Sequence, residues 1–495
     1  MIEKTVKELL YYAETHLDLD PEDEIYFENV LLHFFDKQAP YEGKIDKERI
    51  LSLSVPDSLI EEIVEYETKQ RHVDEAEAVR RADFVMGTLS PKPSEINHKF
   101  EQLRVISDEK AMDYLYRISI ANYYFQKTKV DENLEWEASY SDGPSLKITI
   151  NLSKPEKSNK DIAKLLTKVS LDYPKCRLCH TNLGYYGDDK HPARSSIRFV
   201  PLTLAGEKWY FQYSPYGYFK KHGICFIDSH VPMHIEKKTF ERLFDFVDLF
   251  PSFFMGSNSD LPIVGGSILD HEHFQGGLPV LPIFKAENKE TVFTSKKGST
   301  LSILSFYDTA LHFEGKDRED VISLASRVMD AWLPYEDLEN DIIGNENGIR
   351  HNAITSLARK TGEVYHLYLL LRNNRQTEEY PEGLFHAHPE YFSIKKEGIG
   401  LIEASGLFIL PARLKRQIKE AEASAKLSEE EYLSLYPDMK DFKDMIEAIR
   451  QGESAERYIN DVCRGILGNV AVFKEDKKGQ EGLHRFLKSA LGESL

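Results

Sequence analysis

Between Gly265 and Gly277 the chain reads Gly265-Gly266-Ser267-Ile268-Leu269-Asp270-His271-Glu272-His273-Phe274-Gln275-Gly276-Gly277. On an extended strand successive side chains point to opposite faces, so His271, His273 and Gln275 share one face. Two imidazoles and an amide then converge, with a glycine doublet on either side. An imidazole unprotonated near neutral pH can attack phosphorus, while a neighbouring amide N–H and backbone N–H groups stabilise the charge that develops on phosphoryl oxygens. The pattern points to phosphoryl or nucleotidyl transfer. With 17 histidines in the chain, chance alone supplies about 0.6 His-x-His pairs, so the weight rests on Gln275 in register and on the glycines. The competing reading is a pair of packed structural histidines. The metalloprotease pattern is a different one, with histidines four apart on a helix.

A second signal is Cys176-Arg177-Leu178-Cys179, a spacing expected only about 0.03 times by chance from four cysteines. Thiolates two residues apart chelate zinc well, and tetrahedral closure then needs two further ligands. These must be histidine or carboxylate, because Cys225 and Cys463 stand alone. A redox dithiol is the first alternative, although Tyr173-Pro174-Lys175 leads in poorly for a thioredoxin-like unit. Inert thiols are the second.

The 63 basic and 82 acidic residues leave a formal charge of -19, which repels nucleic-acid backbones and anionic membranes at long range. An anionic ligand would need basic groups gathered locally. Four cysteines in 495 residues are no disulfide framework, so a reducing cytoplasm is expected. Met1-Ile2-Glu3-Lys4-Thr5 lacks the apolar run of a secretory signal, and no stretch is long enough to span a bilayer. Neither a Gly-x-x-x-x-Gly-Lys-Ser/Thr loop nor a Gly-x-Gly-x-x-Gly turn is present, which removes the main support for kinase and dehydrogenase readings.

Along the chain, Val6, Leu9, Leu10, Ala13 and Leu17, then Tyr114, Leu115, Ile118 and Ala121, recur at helical spacing and read as core faces. Residues 145–150 alternate like a strand, and the polar run from Ser153 to Lys160 reads as a connector. Beyond it, strands are expected at 209–213 and 224–227, and a helix through Phe240, Leu243, Phe244, Val247 and Phe250 stops at Pro251. The texture repeats after residue 300, with a helix through Val321, Leu324, Ala325 and Val328 and a strand at 365–371. Ser428 and Glu431 form a capping box in a helical tail. The expectation is an α+β protein with a mostly helical region 1–159, two α/β segments at 160–300 and 301–425, and a helical region 426–495. About three folding units suit this length and permit pseudo-symmetric halves.

The segment His271–Gly277 resembles the His-Pro-His-Gly-Gln motif of the galactose-1-phosphate uridylyltransferases, the nucleotidyl-transferring branch of the histidine-triad superfamily. Glu272 stands for the proline and Phe274 for the glycine, a form similar to the second, diverged bacterial class. The resemblance runs from Cys176 to Arg413 and takes in Arg350-His351-Asn352-Ala353-Ile354-Thr355, Leu371-Arg372-Asn373-Asn374-Arg375 and Phe385-His386-Ala387-His388-Pro389-Glu390. It implies two histidine-triad-like halves with antiparallel sheet, and the pairs 271/273 and 386/388 fit a duplication with one catalytic half.

The implied reaction converts UDP-glucose and galactose 1-phosphate to glucose 1-phosphate and UDP-galactose, with a homodimer left open. Carried over, His273 matches the nucleophile and Gln275 the glutamine that binds the phosphoryl oxygens. Cys176, Cys179, His230 and His271 match a structural zinc site, while Asn258 matches an asparagine near the phosphate and Ser267 is a substrate-binding candidate. His351, His386 and His388 are counterparts for a second metal. Arg194, Arg198, Arg372 and Arg375 are candidate anion-binding groups, because guanidinium forks fit phosphate oxygens. The alternatives are a related nucleotide phosphorylase or hydrolase, and a non-catalytic zinc-dependent nucleotide-binding scaffold.

Overall fold

Most strands of the chain pair with a neighbour in sequence, and a few pairings join segments far apart. The computed structural model describes residues 1–153 and 173–492. Its strands are β1 (Leu134–Tyr140), β2 (Gly143–Asn151), β3 (Val200–Leu204), β4 (Glu207–Tyr213), β5 (Gly223–Ile227), β6 (Phe254–Ser257) and β7 (His273–Gly277). They continue as β8 (Asn288–Thr294), β9 (Thr300–Leu304), β10 (Ala310–Gly315), the short hairpin β11 (Asn345–Glu346) and β12 (Ile349–Arg350), β13 (Asn352–Thr361), β14 (Val364–Asn373) and β15 (Leu407–Pro411). Ten of them form one antiparallel sheet in the order β3-β4-β5-β7-β6-β13-β14-β10-β9-β8. The fold class is α+β.

Read inward from either edge, the order of this sheet is the same: the five strands β3 to β7 are arranged as the five strands β8, β9, β10, β13 and β14. The two sets meet where Gly256 of β6 pairs with Leu357 of β13. A helix precedes the inner pair of strands in both sets. The first, Lys237–Leu249, buries Phe240, Leu243, Phe244 and Val247, and its N-terminus is tied by Glu236 N–H donating to Thr239 Oγ1 at 3.1 Å. The chain leaves helical geometry at Phe250, because a residue before proline is pushed toward extended backbone. The second, Arg318–Trp332, starts at Asp317, whose side chain accepts from Asp320 N–H, and buries Val321, Leu324, Ala325 and Val328. Both stripes lie in one core with Trp209, Phe211, Phe274, Leu311, Phe313 and Leu369. Each fully buried apolar side chain of this kind contributes about 1.5–3 kcal/mol.

The N-terminal helices extend this core, whereas Leu146, Ile148 and Ile150 of β2 join Phe254, Tyr368, Leu370 and the C-terminal Ile459 and Ile466 in a second core. Alternation puts Phe254, Tyr368 and Leu370 on the sheet face opposite Leu367 and Leu369. The sheet is therefore covered on both sides.

The expected helices and strands are found, and the Ser428 box closes with Ser428 N–H donating to Glu431 Oε2 at 2.8 Å. Two differences stand out. Before residue 153 the expected strand, β2, is joined by an unexpected one, β1, and the two form a separate sheet with β15, which runs parallel to β2. That pairing joins residues some 260 positions apart in sequence (Lys147 with Leu407), and local periodicity carries no trace of it. The division expected at 300/301 falls inside β9, because the second set of strands already begins with β8. The expected connector beyond Ser153, with the division at 159/160, lies outside the described residues. Among the described residues no helix is long and apolar enough to cross a membrane.

Candidate active site and metal centre

β7 lies between β5 and β6, with Phe226 opposite His273, Ile224 opposite Gln275, and Gly256 opposite Gln275 on the other side. The glycine doublet after Gln275 is needed for this fit: a Cβ on Gly276 would collide with the Phe254 carbonyl. Phe274 points to the helix side and stacks on Trp209 at 4.6 Å. His273 and Gln275 accordingly share the opposite face.

His273 is 4% exposed. Its Nδ1 lies 2.8 Å from the His271 carbonyl, which can only accept, so Nδ1 carries the proton and Nε2 keeps its lone pair. Burial pushes the pKa of His273 down to about 4. The ring is thus neutral near pH 7. Gln275 Oε1 lies 3.1 Å from Nε2 of the buried His222, whose pKa burial also pushes down to about 4. With that N–H donated to the amide oxygen, the Gln275 NH₂ group is left to serve another acceptor.

His271 stands just before β7 and serves a different cluster. Its Nε2 donates to the Ile227 carbonyl at 2.8 Å, which leaves the Nδ1 lone pair facing Cys176 Sγ at 3.2 Å and Cys179 Sγ at 3.6 Å. His230 Nδ1 lies 3.3 Å from Cys179 Sγ, and the two sulfurs are 3.5 Å apart. All four donor atoms lie within 4.8 Å of one another. Tetrahedral zinc with Zn–S near 2.3 Å and Zn–N near 2.0–2.1 Å separates its donors by about 3.5–3.8 Å, so this donor set fits such an ion. Burial pushes the Cys176 thiol up to about 12, so a thiolate pair here requires a cation to compensate it. Asn182 Nδ2 donates to the Cys176 and Cys179 carbonyls, both at 2.8 Å, and holds the loop around the sulfurs. The redox and inert-thiol alternatives do not account for two histidines converging on the same point.

Glu272, in the place of the motif's proline, points to the helix side. Its Oε1 accepts from Arg242 Nη1 at 2.8 Å, while Arg242 Nε and Nη2 reach both oxygens of Glu207 at 2.7 and 3.2 Å. Burial pushes the Glu272 carboxyl up to about 7 against the pull of Arg242. This network ties the start of β7 to β4 and to the Lys237–Leu249 helix.

Most of the other expected residues have partners of their own. Asn258 Oδ1 accepts from Leu401 N–H at 2.8 Å, and its amide nitrogen sits 3.0 Å from where a Cβ on Gly266 would stand. Asn258 thereby joins the Gly265–Gly266 loop to the 400–401 turn. Ser267 is exposed in the same loop. Arg198 is corrected from an anion binder to a structural clamp, because its guanidinium donates to the carbonyls of Pro91, Ser195, Ile197 and Gly87 at 2.7–3.0 Å. Arg194 donates to Ala193 O and lies over the Tyr124 ring. Arg375 donates to Asp341 O. Arg372 is fully buried and donates to Ile399 O at 2.7 Å. It opposes the burial that pushes the Asp308 carboxyl up to about 6.

His351, His386 and His388 form no metal-binding group among the described residues. His351 Nδ1 faces Asn374 Oδ1, His386 Nε2 accepts from Ile399 N–H, and His388 Nε2 faces Leu384 O. Nor does 386/388 repeat 271/273, since the place of β7 in the second set of strands is taken by β14, and both histidines come after it. His222 and Arg242 escaped the sequence reading. Nothing in Lys221-His222-Gly223 marks a functional histidine, and only the β5–β7 pairing brings it to Gln275.

A family profile described as "Galactose-1-phosphate uridyl transferase, N-terminal domain" matches residues 18–232. A galactose-1-phosphate uridylyltransferase of Caldanaerobacter subterraneus is 39% identical over 98% of this chain and 97% of its own length. One of Clostridium acetobutylicum is 36% identical over 98% and 99%. Among solved structures, yeast Ap4A phosphorylase matches 70% of this chain and 97% of its own at 11% identity and a TM-score of 0.35.

Proposed function

The chain belongs to the galactose-1-phosphate uridylyltransferases, which exchange UMP between UDP-glucose and galactose 1-phosphate, and from that premise we propose how its own residues carry the transfer. His273 Nε2 attacks the α-phosphorus of UDP-glucose. A nitrogen–phosphorus bond forms as the bond to the glucose 1-phosphate oxygen breaks, and glucose 1-phosphate leaves. A phosphate oxygen of galactose 1-phosphate then attacks the same phosphorus, the nitrogen–phosphorus bond breaks, and UDP-galactose departs. Splitting the exchange lets one site serve two similar sugars in turn.

The observation that carries this reading is the tautomer of His273, whose Nδ1 proton is held by the His271 carbonyl at 2.8 Å. The same bond fixes the ring, so the nucleophile is oriented before substrate arrives. The Gln275 NH₂ group, turned outward by His222, donates to the phosphoryl oxygens as charge builds on them. Zinc at Cys176, Cys179, His230 and His271 would supply a structural cross-link. Through it the 176–179 loop and the 230 loop hold the residue whose carbonyl aligns His273. The sheet is read as two histidine-triad-like halves with the chemistry in the first. The free thiols suit a reducing cytoplasm.

The test uses UDP-glucose labelled at the α-phosphate, with no acceptor present. Wild-type protein should hold close to one acid-labile, base-stable label per chain and release it on addition of galactose 1-phosphate. His273→Ala protein should hold none while keeping its metal. A label that persists in folded His273→Ala protein refutes the assignment. Free UMP or a UDP product formed without any sugar phosphate favours the hydrolase or phosphorylase reading instead.

A further inference from the structure

The strand segment that carries His273 has a second face, and its side chains are held by one guanidinium. Glu272 and Phe274, the residues on either side of His273, both point to the helix side of the sheet, away from the imidazole. Arg242 of the Lys237–Leu249 helix reaches both, one directly and the other through a ring. Its Nη1 donates to Glu272 Oε1 at 2.8 Å. Its guanidinium carbon stands 5.5 Å from the centre of the Trp209 ring, and Trp209 in turn stacks on Phe274 at 4.6 Å and 16°. The strand register accounts for this meeting, since Trp209 of β4 lies opposite Ile227 of β5 and Phe274 of β7 lies opposite Cys225, on the same strand.

The guanidinium itself has little freedom. Nε and Nη2 donate to the two oxygens of Glu207 at 2.7 and 3.2 Å, Arg242 and Glu272 are each 4% exposed, and Trp209 and Phe274 are fully buried. Apolar burial is non-directional, whereas hydrogen bonds from a planar fork fix direction as well as distance. The backbone of Glu272 is held too, since its N–H donates to the Val231 carbonyl at 2.8 Å and its carbonyl accepts from Ile227 N–H at 3.2 Å. A proline here would lose the first of these bonds for want of an N–H. On the imidazole side, the Nδ1 bond to the His271 carbonyl sets how the ring is turned. Where its Cα–Cβ bond starts is set by the two neighbours.

We propose that Arg242 is a positioning residue for the transfer: it holds Glu272 directly and Phe274 through Trp209, and so fixes, from the opposite face of the sheet, the residue that carries the attacking imidazole. Arg242 acts through its neighbours and is no catalytic group. The proposal rests on the reading of His273 as the nucleophile. A misplacement of about 1 Å can cost an aligned group about 10²-fold in rate, so the tether should show in kcat and not in KM.

Glu272→Ala is the sharpest variant, because Arg242 keeps both oxygens of Glu207 and no charge is left unpaired. Mixed with saturating UDP-glucose labelled at the α-phosphate, the full-length variant should take up label about 10–100-fold more slowly than wild type. It should still reach about one label per chain, with KM for UDP-glucose and metal content within about twofold of wild type. Glu272→Gln, which keeps the Oε1 acceptor, should recover most of the rate. Arg242→Lys keeps the charge but loses the fork, and should be slowed like Glu272→Ala. Combining the two should slow uptake no further, because both cut one tether.

Uptake within about threefold of wild type in folded Glu272→Ala protein overturns the proposal. So does a rate that added zinc restores, which would make Glu272 a support of the metal loop, or a Glu272→Gln protein as slow as Glu272→Ala. A wild type that takes no label overturns the reading of His273, and the positioning role falls with it. A labelled wild type beside full-rate variants overturns the positioning role alone.

Discussion

β7 and β14 occupy the same place in the two sets of strands, the fourth from either edge of the sheet, yet their side chains do opposite things. β7 presents His273 and Gln275 on one face. β14 carries Leu367, Leu369, Leu370 and Leu371, all buried, with Tyr368 among them. Both strands are backed by an amphipathic helix and carried by the same ladder, so the scaffold does not make the difference. What differs is the surroundings of the strand's beginning. Ahead of β7, two cysteines and His230 converge on His271, and the carbonyl of His271 orients His273. Ahead of β14 is a tight hairpin from β13, turning between Thr361 and Val364, and it leaves no room for such a loop cluster. The fold can be repeated while the chemistry is not, because chemistry needs the loops that aim a side chain.

The comparison is tested most severely by His273→Ala. Loss of the attacking group should lower turnover on the order of 10⁴–10⁶-fold, with metal content and denaturant midpoint near wild type. Turnover within tenfold of wild type would move the chemistry elsewhere and void the contrast. Gln275→Ala should cost about 10²–10³-fold in kcat with little change in UDP-glucose affinity. Lost affinity at normal kcat would make Gln275 a recognition residue.

On the other strand, Leu369→Ala should lower stability by about 2–5 kcal/mol, the range for emptying a packed leucine site. Its activity per folded molecule should stay close to wild type. A large drop in kcat with unchanged stability would mean that β14 shares in the chemistry.

The smallest effect concerns pH and His222. Its folded pKa, about 4 through burial, lies below the unfolded value of about 6.5. The unfolded state therefore takes up a proton first as the pH falls below about 6.5, and stability is lost from there down to about 4. Between pH 7 and pH 5 the loss should be about 2 kcal/mol from this residue. Denaturant midpoints of His222→Gln should show that much less acid sensitivity. Equal sensitivity in the two proteins would mean that the imidazole is protonated in the fold and does not set the Gln275 amide as described.

Much of this molecule was legible in the residues themselves. A helix such as Lys237–Leu249 is set by contacts three and four positions apart, so its stripe, its start and its stop before Pro251 are all local. The Cys-x-x-Cys spacing and the alternation around His273 are local too, and they singled out the thiols and a candidate nucleophile. Residues joined only by long-range pairing could not be read in this way. The β2–β15 pairing, the His222–Gln275 hydrogen bond and the Arg242–Glu272 ion pair have no signature within a window of sequence. Arg198 misled for a related reason, since a guanidinium looks the same in sequence whether it meets a phosphate or, as here, backbone carbonyls.

The sequence by itself determined local features such as the stripe and stop of the Lys237–Leu249 helix, and which imidazole, amide and thiols are able to react, because those properties depend on residue type and near spacing. The tertiary structure alone decided which histidine faces sulfur and which does not, and that 386/388 is no copy of 271/273. The reason is that direction in a folded chain is imposed by partners distant in sequence: the Ile227 carbonyl turns His271 toward the cysteines, and the His271 carbonyl turns His273 away from them.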